Sequence, residues 1–152
     1  MFDKLASLIS DHSDDAVEFG DASCDLSPTD ERVAETEELL GCKLPISYLW
    51  FVRNYGGGEV YGEEIYSIYP VLSEKSVGDI VYQTRWWREK GLVERTDIVV
   101  SSNDFGEVFY MDTSKKNADG EYPVCVKAGK IVQKYANRFD EFLSKRIENP
   151  NG

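Results

Sequence analysis

Acidic side chains are the most numerous chemically active groups in this sequence, and some lie close enough together to cooperate. Glu63 and Glu64 are adjacent, and Asp104 and Asp112 bracket a short segment with the pattern of a turn and a strand. Two carboxylates that meet in a folded protein could hold a magnesium ion or share the roles of general acid and general base. With 28 Asp and Glu in 152 residues, such pairs arise by chance. We therefore expect neither an enzyme nor a metal site.

Nucleophilic and metal-binding side chains are sparse. The single histidine, His12, lies in a polar stretch, from which a Ser-His-Asp triad would have to recruit it. The cysteines Cys24, Cys42 and Cys125 are odd in number and form no C-x-x-C pair, which argues against a structural zinc site and indicates a reducing compartment. The sequence predicts no catalytic residues and no cofactor.

Two short motifs imitate phosphate chemistry. Asp104-Phe105-Gly106 matches the magnesium-binding tripeptide of protein kinases, but the other kinase motifs are missing and this tripeptide lies in a predicted hairpin. Gly56-Gly57-Gly58 would suit a phosphate loop only if a helix followed it. Because a helix is predicted before these glycines, a bound anion would face the negative end of the helix dipole. We interpret the glycines as a helix stop.

Charge is distributed unevenly along the chain. Lys and Arg number 17 against 28 Asp and Glu, which gives a net charge of −11. Residues 1–64 hold 15 acids and four bases, whereas residues 65–152 hold 13 of each sign. A surface with this much negative charge repels nucleic-acid phosphate and anionic lipid. We therefore expect a basic partner and no binding to nucleic acid or membranes. A solvated acidic face that maintains solubility explains the same charge.

Length and composition predict one domain with a substantial core. The chain has 152 residues, of which 41% are hydrophobic and 12% aromatic. We assign residues 1–148 to a single domain and residues 149–152 to a frayed C-terminal tail. No apolar run reaches 18 residues, and residues 1–15 lack the features of a signal peptide. We expect a cytoplasmic location.

The periodicity of apolar residues predicts an α+β fold, with helices packed against an antiparallel β-sheet. Ser27 is predicted to cap the second helix, with Pro28 at its first position and Gly41 ending it, and Asn137 is predicted to cap the last helix. Residues 14–24 are predicted to form a loop. Predicted helices span residues 2–9, 28–40, 45–55, 77–87 and 138–147. Predicted strands span residues 64–69, 97–101, 107–111, 122–126 and 130–135.

The predicted helix over residues 77–87 has two apolar faces. Its expected core face contains Val77, Ile80, Val81, Thr84 and Trp87. Tyr82 and Trp86 point roughly the opposite way. Aromatic residues on an outer face are natural interface anchors, although another element that covered them would make them part of a second core.

Several short motifs in a fixed order resemble those of the SUKH superfamily, the cell-wall-assembly-regulator homology domain. The first half contains FGDAS from Phe19, an acidic helix that ends in E-x-x-LG, the Leu44-Pro45 pair, Tyr48 and NYGGG from Asn54. The second half contains DIVVSSNDFGEVFYMD, GEYPVCV and RFDEFLSK. The sequence departs from many members at Tyr55, because their asparagine directly precedes the glycines.

The resemblance implies a single non-catalytic α+β domain of the kind that bacteria use as immunity proteins against polymorphic toxins, often nucleases. The sequence resembles in particular the immunity proteins that are paired with LXG-type toxins, and this resemblance implies that the basic C-terminal toxic domain of such a toxin is the partner. A regulatory protein-interaction module is the alternative, and a carboxylate-dependent enzyme is a third. The residues that we expect to bind the partner are Tyr55, Glu59, Tyr61, Glu63, Glu64, Tyr82, Trp86 and Asp104.

Overall fold

A computed structural model describes residues 1–21 and 27–149 of the chain. Cys24 and the end of the FGDAS motif lie outside the described residues, as do residues 150–152 of the predicted tail.

The described residues form an α+β domain, which confirms the predicted fold class. Its helices are α1 (Asp3–Asp11), α2 (Asp30–Leu40), α3 (Ile46–Tyr55), α4 (Ile80–Glu89) and α5 (Phe139–Glu148). Its strands are β1 (Val17–Phe19), β2 (Gly58–Val60), β3 (Glu63–Ile65), β4 (Asp97–Ser102), β5 (Glu107–Asp112), β6 (Val124–Ala128) and β7 (Ile131–Ala136). No helix in the described part of the chain is long and apolar enough to cross a membrane.

The seven strands form one antiparallel sheet in which sequence neighbours are spatial neighbours, in the order β1 to β7. Strands β4 to β7 form the predicted antiparallel meander. Short turns join β4 to β5 and β6 to β7, whereas the longer segment 113–123, which begins with the 3-10 helix Thr113–Lys115, joins β5 to β6. The three short strands β1 to β3 join this meander through a single residue pair, Ile65 with Ser101. The sheet therefore has two parts with a narrow junction between them.

The helices cover the sheet and enclose an aromatic core. Helix α5 lies against β7 and contacts α1 and α3, while α4 packs on β4 and α2 packs on α4. The predicted apolar stripe of α5 is confirmed, since all four of its members are fully buried: Phe139, Phe142, Leu143 and Ile147. Rings from three other elements pack around this stripe, namely those of Tyr48, Phe51, Phe109 and Tyr135.

Two predicted helix caps are wrong. Thr29, and not Ser27, caps α2, because its hydroxyl accepts a hydrogen bond from the Arg32 amide at 3.1 Å. The Ser27 hydroxyl instead donates to the Arg53 carbonyl at 3.0 Å. Pro28 therefore precedes α2 and does not occupy its first turn. Gly41 ends α2 with a φ of 79°, as predicted.

Helix α5 begins one residue later than predicted, because its N-cap position is residue 138 and not the predicted Asn137. Arg138 occupies the N-cap position of α5, and no side chain caps it. Asn137 lies just before this position, where its side-chain amide donates to the Glu141 carboxylate at 3.2 Å. Asn137 therefore contacts the first turn without capping it.

The segment predicted as a loop over residues 14–24 contains strand β1. This strand has only three residues and pairs with β2, with Val17 opposite Val60. A partner so far away in sequence gives β1 no local signature. Gly58 makes the pairing possible, because a Cβ atom there would overlap the Glu18 carbonyl oxygen. The glycine run thus ends α3, as predicted, and also begins β2.

The region between β3 and α4 differs from the prediction at both ends. The strand predicted over residues 64–69 ends at Ile65, and Ser67 forms a single parallel bridge with Asp79. Asp79 caps α4, so the helix begins after it and not at Val77. Val77 is 55% exposed, and its predicted place in the core is wrong.

Candidate functional site

A groove of about 670 Å³ lies over the outer side of strands β1 to β3. Its walls come from β1, from the glycine run after α3, and from the loop that follows β3. We name it the acidic groove. Its lining includes Glu18, Phe19, Glu59, Glu64, Tyr69 and Pro70.

Three glutamates lie side by side in this groove. Glu18 of β1 is directly opposite Glu59 of β2, which is directly opposite Glu64 of β3. Their side chains share one face, since residues that pair across antiparallel strands point the same way. Among residues 1–21 and 27–149, no Lys, Arg or His nitrogen lies within ion-pair distance of these carboxylates. We name these three side chains the carboxylate row.

Burial and repulsion both act on the row. Burial raises the pKa of Glu64, the neighbouring charge of Glu59 raises it further, and a hydrogen bond from the Tyr69 hydroxyl opposes the rise. Like charges placed directly opposite each other on a sheet are destabilising. The row is therefore an arrangement that a cation would stabilise.

Tyr69 and Gly78 hold the Glu64 carboxylate of the row in place. The Tyr69 hydroxyl donates to Glu64 and accepts a hydrogen bond from the Gly78 amide at 3.1 Å. A Cβ atom on Gly78 would overlap both the Glu64 carboxylate and the Tyr69 hydroxyl. A side chain at position 78 would therefore have to displace both groups, and glycine allows Glu64 to lie against the loop after β3.

The structure separates Glu63 from Glu59 and Glu64, although the sequence analysis placed all three among the residues expected to bind the partner. Successive residues of a strand point to opposite faces, so Glu63 faces the helices. There it forms an ion pair with Arg146 of α5, whose side chain is 7% exposed. The guanidinium of Arg146 also lies 4.8 Å from the centre of the Phe109 ring. Glu63 thus neutralises a buried charge.

Tyr55 and Tyr61 occupy different surroundings. Tyr55 is half-buried and packs against Phe19, a wall of the acidic groove, with ring centres 5.7 Å apart. Burial raises the pKa of Tyr55. Tyr61 lies in the turn between β2 and β3 with a φ of 51°, and its hydroxyl donates to the Ile147 carbonyl at 3.1 Å. Tyr55 therefore supports the groove, while Tyr61 contacts α5.

A second groove of about 430 Å³ lies along the outer face of α4. We name it the α4 groove; Tyr82 and Trp86 line it together with Leu72 of the preceding loop. Trp86 is 43% exposed and packs edge-on against Trp87, with ring centres 5.1 Å apart. The predicted orientation of α4 is confirmed by its opposite face, where three side chains are fully buried: Ile80, Val81 and Thr84.

Asp104 lies away from both grooves, in the exposed turn between β4 and β5. Asp112, its suggested catalytic partner, lies at the other end of β5 and accepts a hydrogen bond from the Ser114 amide. The two carboxylates therefore form no common site. In the described ranges no three His, Cys, Asp or Glu side chains are arranged to hold a metal ion.

A buried ion pair that the sequence analysis missed connects α2 to the loop after β3. Asp79 is fully buried, caps α4 through the Val81 amide at 2.7 Å, and accepts the Tyr69 amide at 2.9 Å. Arg32 of α2 lies 3.6 Å from the Asp79 carboxylate and donates to the Tyr69 carbonyl at 2.9 Å. The sequence did contain one signal, since an Asp before an amphipathic segment marks a helix N-terminus.

Fold and site together define a small α+β domain whose most distinctive surface is an open acidic groove. The model of the SMI1 / KNR4 family (SUKH-1) matches residues 27–145, more than three quarters of the chain. The protein belongs to this family, which includes immunity proteins of polymorphic toxins. The resemblance drawn from the sequence motifs is thereby confirmed at the level of the family. The match begins after β1, so Glu18 of the carboxylate row lies outside it.

Proposed function

We propose that this protein is an immunity protein that binds a polymorphic toxin in the cytoplasm and neutralises it by occlusion, without catalysis. The partner is the basic C-terminal toxic domain of an LXG-type toxin, and this toxic domain is a nuclease. Membership of a family that includes such immunity proteins supports the class. The single observation that carries the mechanism is the carboxylate row in the open acidic groove.

The physical argument is one of electrostatic complementarity. A nuclease must present Lys or Arg to the phosphates of its substrate. A cationic side chain of the toxin that entered the groove would remove the repulsion between Glu59 and Glu64. The immunity protein would then cover the phosphate-binding surface to which that side chain belongs. Complementary charge of this kind accelerates association and disfavours wrong partners.

Stoichiometry tests this function most simply. The toxic domain of the proposed LXG-type partner is purified, and its nuclease activity is measured as immunity protein is added. Occlusion predicts a loss of activity that reaches an end point at a fixed molar ratio, together with a complex that co-purifies. Inactivation by substoichiometric amounts, or no complex at any ratio, would overturn the proposal.

A regulatory interaction module predicts a different result in the same experiment. Such a module would leave the toxic domain active and would co-purify with a cellular client. Exposure of the producing cells to the toxin adds a second readout, because deletion of an immunity gene sensitises them and deletion of a regulatory gene does not.

A further inference from the structure

The loop between β3 and α4, residues 68–78, is closed at its base by the backbone. The Ser67 amide donates to the Gly78 carbonyl at 3.1 Å, and the Ile80 amide donates to the Ser67 carbonyl at 2.7 Å. We name these residues the bridging loop. Compact surface loops whose ends meet in this way are frequently functional.

The bridging loop is also fixed internally. The Ser76 hydroxyl is buried, donates to the Val71 carbonyl and accepts from the Ser73 amide, both at 3.0 Å. Arg32 and Asp79 hold Tyr69 at the other side of the loop. A loop with so many internal hydrogen bonds is preorganised, so the loop itself loses little conformational entropy when a partner binds it.

Despite this order, the bridging loop exposes apolar side chains. Val71 is 73% exposed and Val77 is 55% exposed. Exposed apolar residues are common singly, but these two lie in one internally hydrogen-bonded loop, which also contributes Leu72 to the groove that the exposed Trp86 lines. Nothing in the internal hydrogen bonding of the loop requires valine at either position.

The position of the loop joins the two grooves. Tyr69 and Pro70 line the acidic groove, and Leu72 lines the α4 groove together with Trp86. We name Val71, Leu72 and Val77 the apolar patch. The loop that carries them lines the acidic groove on one side and, on the other, the groove of Trp86, which also contains Glu74, Arg85 and Glu89. This arrangement matches the general anatomy of interfaces, in which an aromatic anchor and apolar contacts lie beside charged groups.

We propose that the bridging loop and Trp86 form the apolar centre of the toxin interface. They receive an apolar side chain of the toxic domain that is flanked by Lys or Arg, and the flanking cation reaches the carboxylate row. Charge complementarity fixes the partner's chemistry, because the apolar patch borders carboxylates that no cation of the described chain neutralises. This inference rests on the proposed function and adds the surface that determines which toxin is bound.

The experiment compares the binding of four variants to the purified toxic domain of the proposed partner. Trp86→Ala removes the anchor, and Val71→Ala with Val77→Ala removes the exposed valines. A matched control, Ile131→Ala with Val132→Ala, truncates two aliphatic side chains of similar exposure, 65% and 52%, on the edge strand β7. Glu59→Gln with Glu64→Gln tests the carboxylate row separately. Thermal unfolding of each variant shows that it is folded.

The inference predicts that Trp86→Ala lowers affinity by about thirty-fold or more, as for an anchor residue. The valine pair is expected to lower it by about ten-fold, mainly through faster dissociation. The control pair should change it less than two-fold. If both apolar variants bind as tightly as the control while the glutamine pair binds weakly, the inference is overturned and the proposed function stands.

Two other outcomes are equally decisive. If the wild-type protein binds no toxic domain, the proposed function fails, and this inference fails with it. If the wild-type protein is a dimer in solution and the valine variant is a monomer with unchanged toxin affinity, the patch is a contact between two copies of the chain. That result would also overturn the inference.

Discussion

Glu63 and Glu64 are adjacent in the chain, yet their carboxylates lie on opposite faces of the sheet. Glu63 forms an ion pair with Arg146 among the helices, and Glu64 stands opposite Glu59 in the acidic groove. One carboxylate therefore serves the stability of the fold, while the other costs stability and is available to a partner. Substitutions at these two positions should have opposite effects on folding.

Replacing Glu63 should destabilise the protein. Glu63→Ala leaves the guanidinium of Arg146 buried without its partner, and removal of one member of a buried pair costs roughly 3 kcal/mol. Urea unfolding measures this loss. The double variant with Arg146→Met should recover much of the stability, because no unpaired charge then remains. A double variant less stable than Glu63→Ala alone would contradict the assigned role of the pair.

Replacing Glu64 should stabilise the protein at neutral pH. The pKa of Glu64 is raised by burial and then by Glu59, so the folded state binds this proton more tightly than the unfolded chain does. The stability that Glu64 contributes is thus present below its ordinary pKa and is lost as pH rises through the raised value. Glu64→Gln should match the wild type near pH 4 and exceed its free energy of unfolding at pH 7.

The control for this pH dependence is Glu148→Gln, which removes one exposed carboxylate from α5 and leaves the groove intact. Its free energy of unfolding should follow that of the wild type at both pH values. Equal curves for Glu64→Gln and the wild type would mean that the row stores no repulsion.

Asp79 should be required for the shape of the bridging loop. Asp79→Ala removes the cap of α4 and the acceptor of the Tyr69 amide, and it leaves Arg32 with only the half-exposed Glu35 carboxylate at 3.2 Å. The expected loss is about 1–3 kcal/mol. Hydrogen exchange should accelerate at the amides of Tyr69 and Gly78 more than in the β4–β7 meander. Uniform acceleration across the whole sheet would indicate that Asp79 acts only on global stability.

A side chain at position 78 should destabilise the protein while Glu64 is present. Gly78→Ala would place a methyl group where the Glu64 carboxylate and the Tyr69 hydroxyl lie, and forced displacement of this kind typically costs about 1–3 kcal/mol. Thermal unfolding measures that cost. In a Glu64→Ala background the penalty should shrink, because one of the overlapping groups is gone; an unchanged penalty would place the clash elsewhere.

The sequence predicted those parts of the fold whose partners are close along the chain. Strands β4 to β7 and the apolar stripe of α5 depend on local periodicity and hairpin turns, and both are confirmed. Strand β1 escaped prediction because three residues carry no usable pattern and the partner, β2, follows two intervening helices. Strand β1 forms because it pairs with a distant segment, and its own three residues do not specify a strand.

The candidate site was predictable only in part for the same reason. Glu59 and Glu64 were among the residues expected to bind the partner, and they lie in the acidic part of the chain, residues 1–64, but Glu18 lies on the strand that was missed. Glu63 was grouped with them because charge counts ignore the alternation of side chains along a strand. Charge patterns identify a region, and only the register between strands identifies which carboxylates meet.

The association rate of the toxic domain with variants of equal net charge tests the central claim most directly. Glu18→Gln with Glu59→Gln and Glu64→Gln removes the carboxylate row, while Glu31→Gln with Glu38→Gln and Glu148→Gln removes three exposed carboxylates elsewhere. If the carboxylate row is the docking site, the row variant associates about ten-fold more slowly or worse at low salt, and this deficit shrinks at high salt. The charge-matched variant stays near the wild-type rate. Equal association rates for the two triple variants would contradict the claim that the carboxylate row is the docking site.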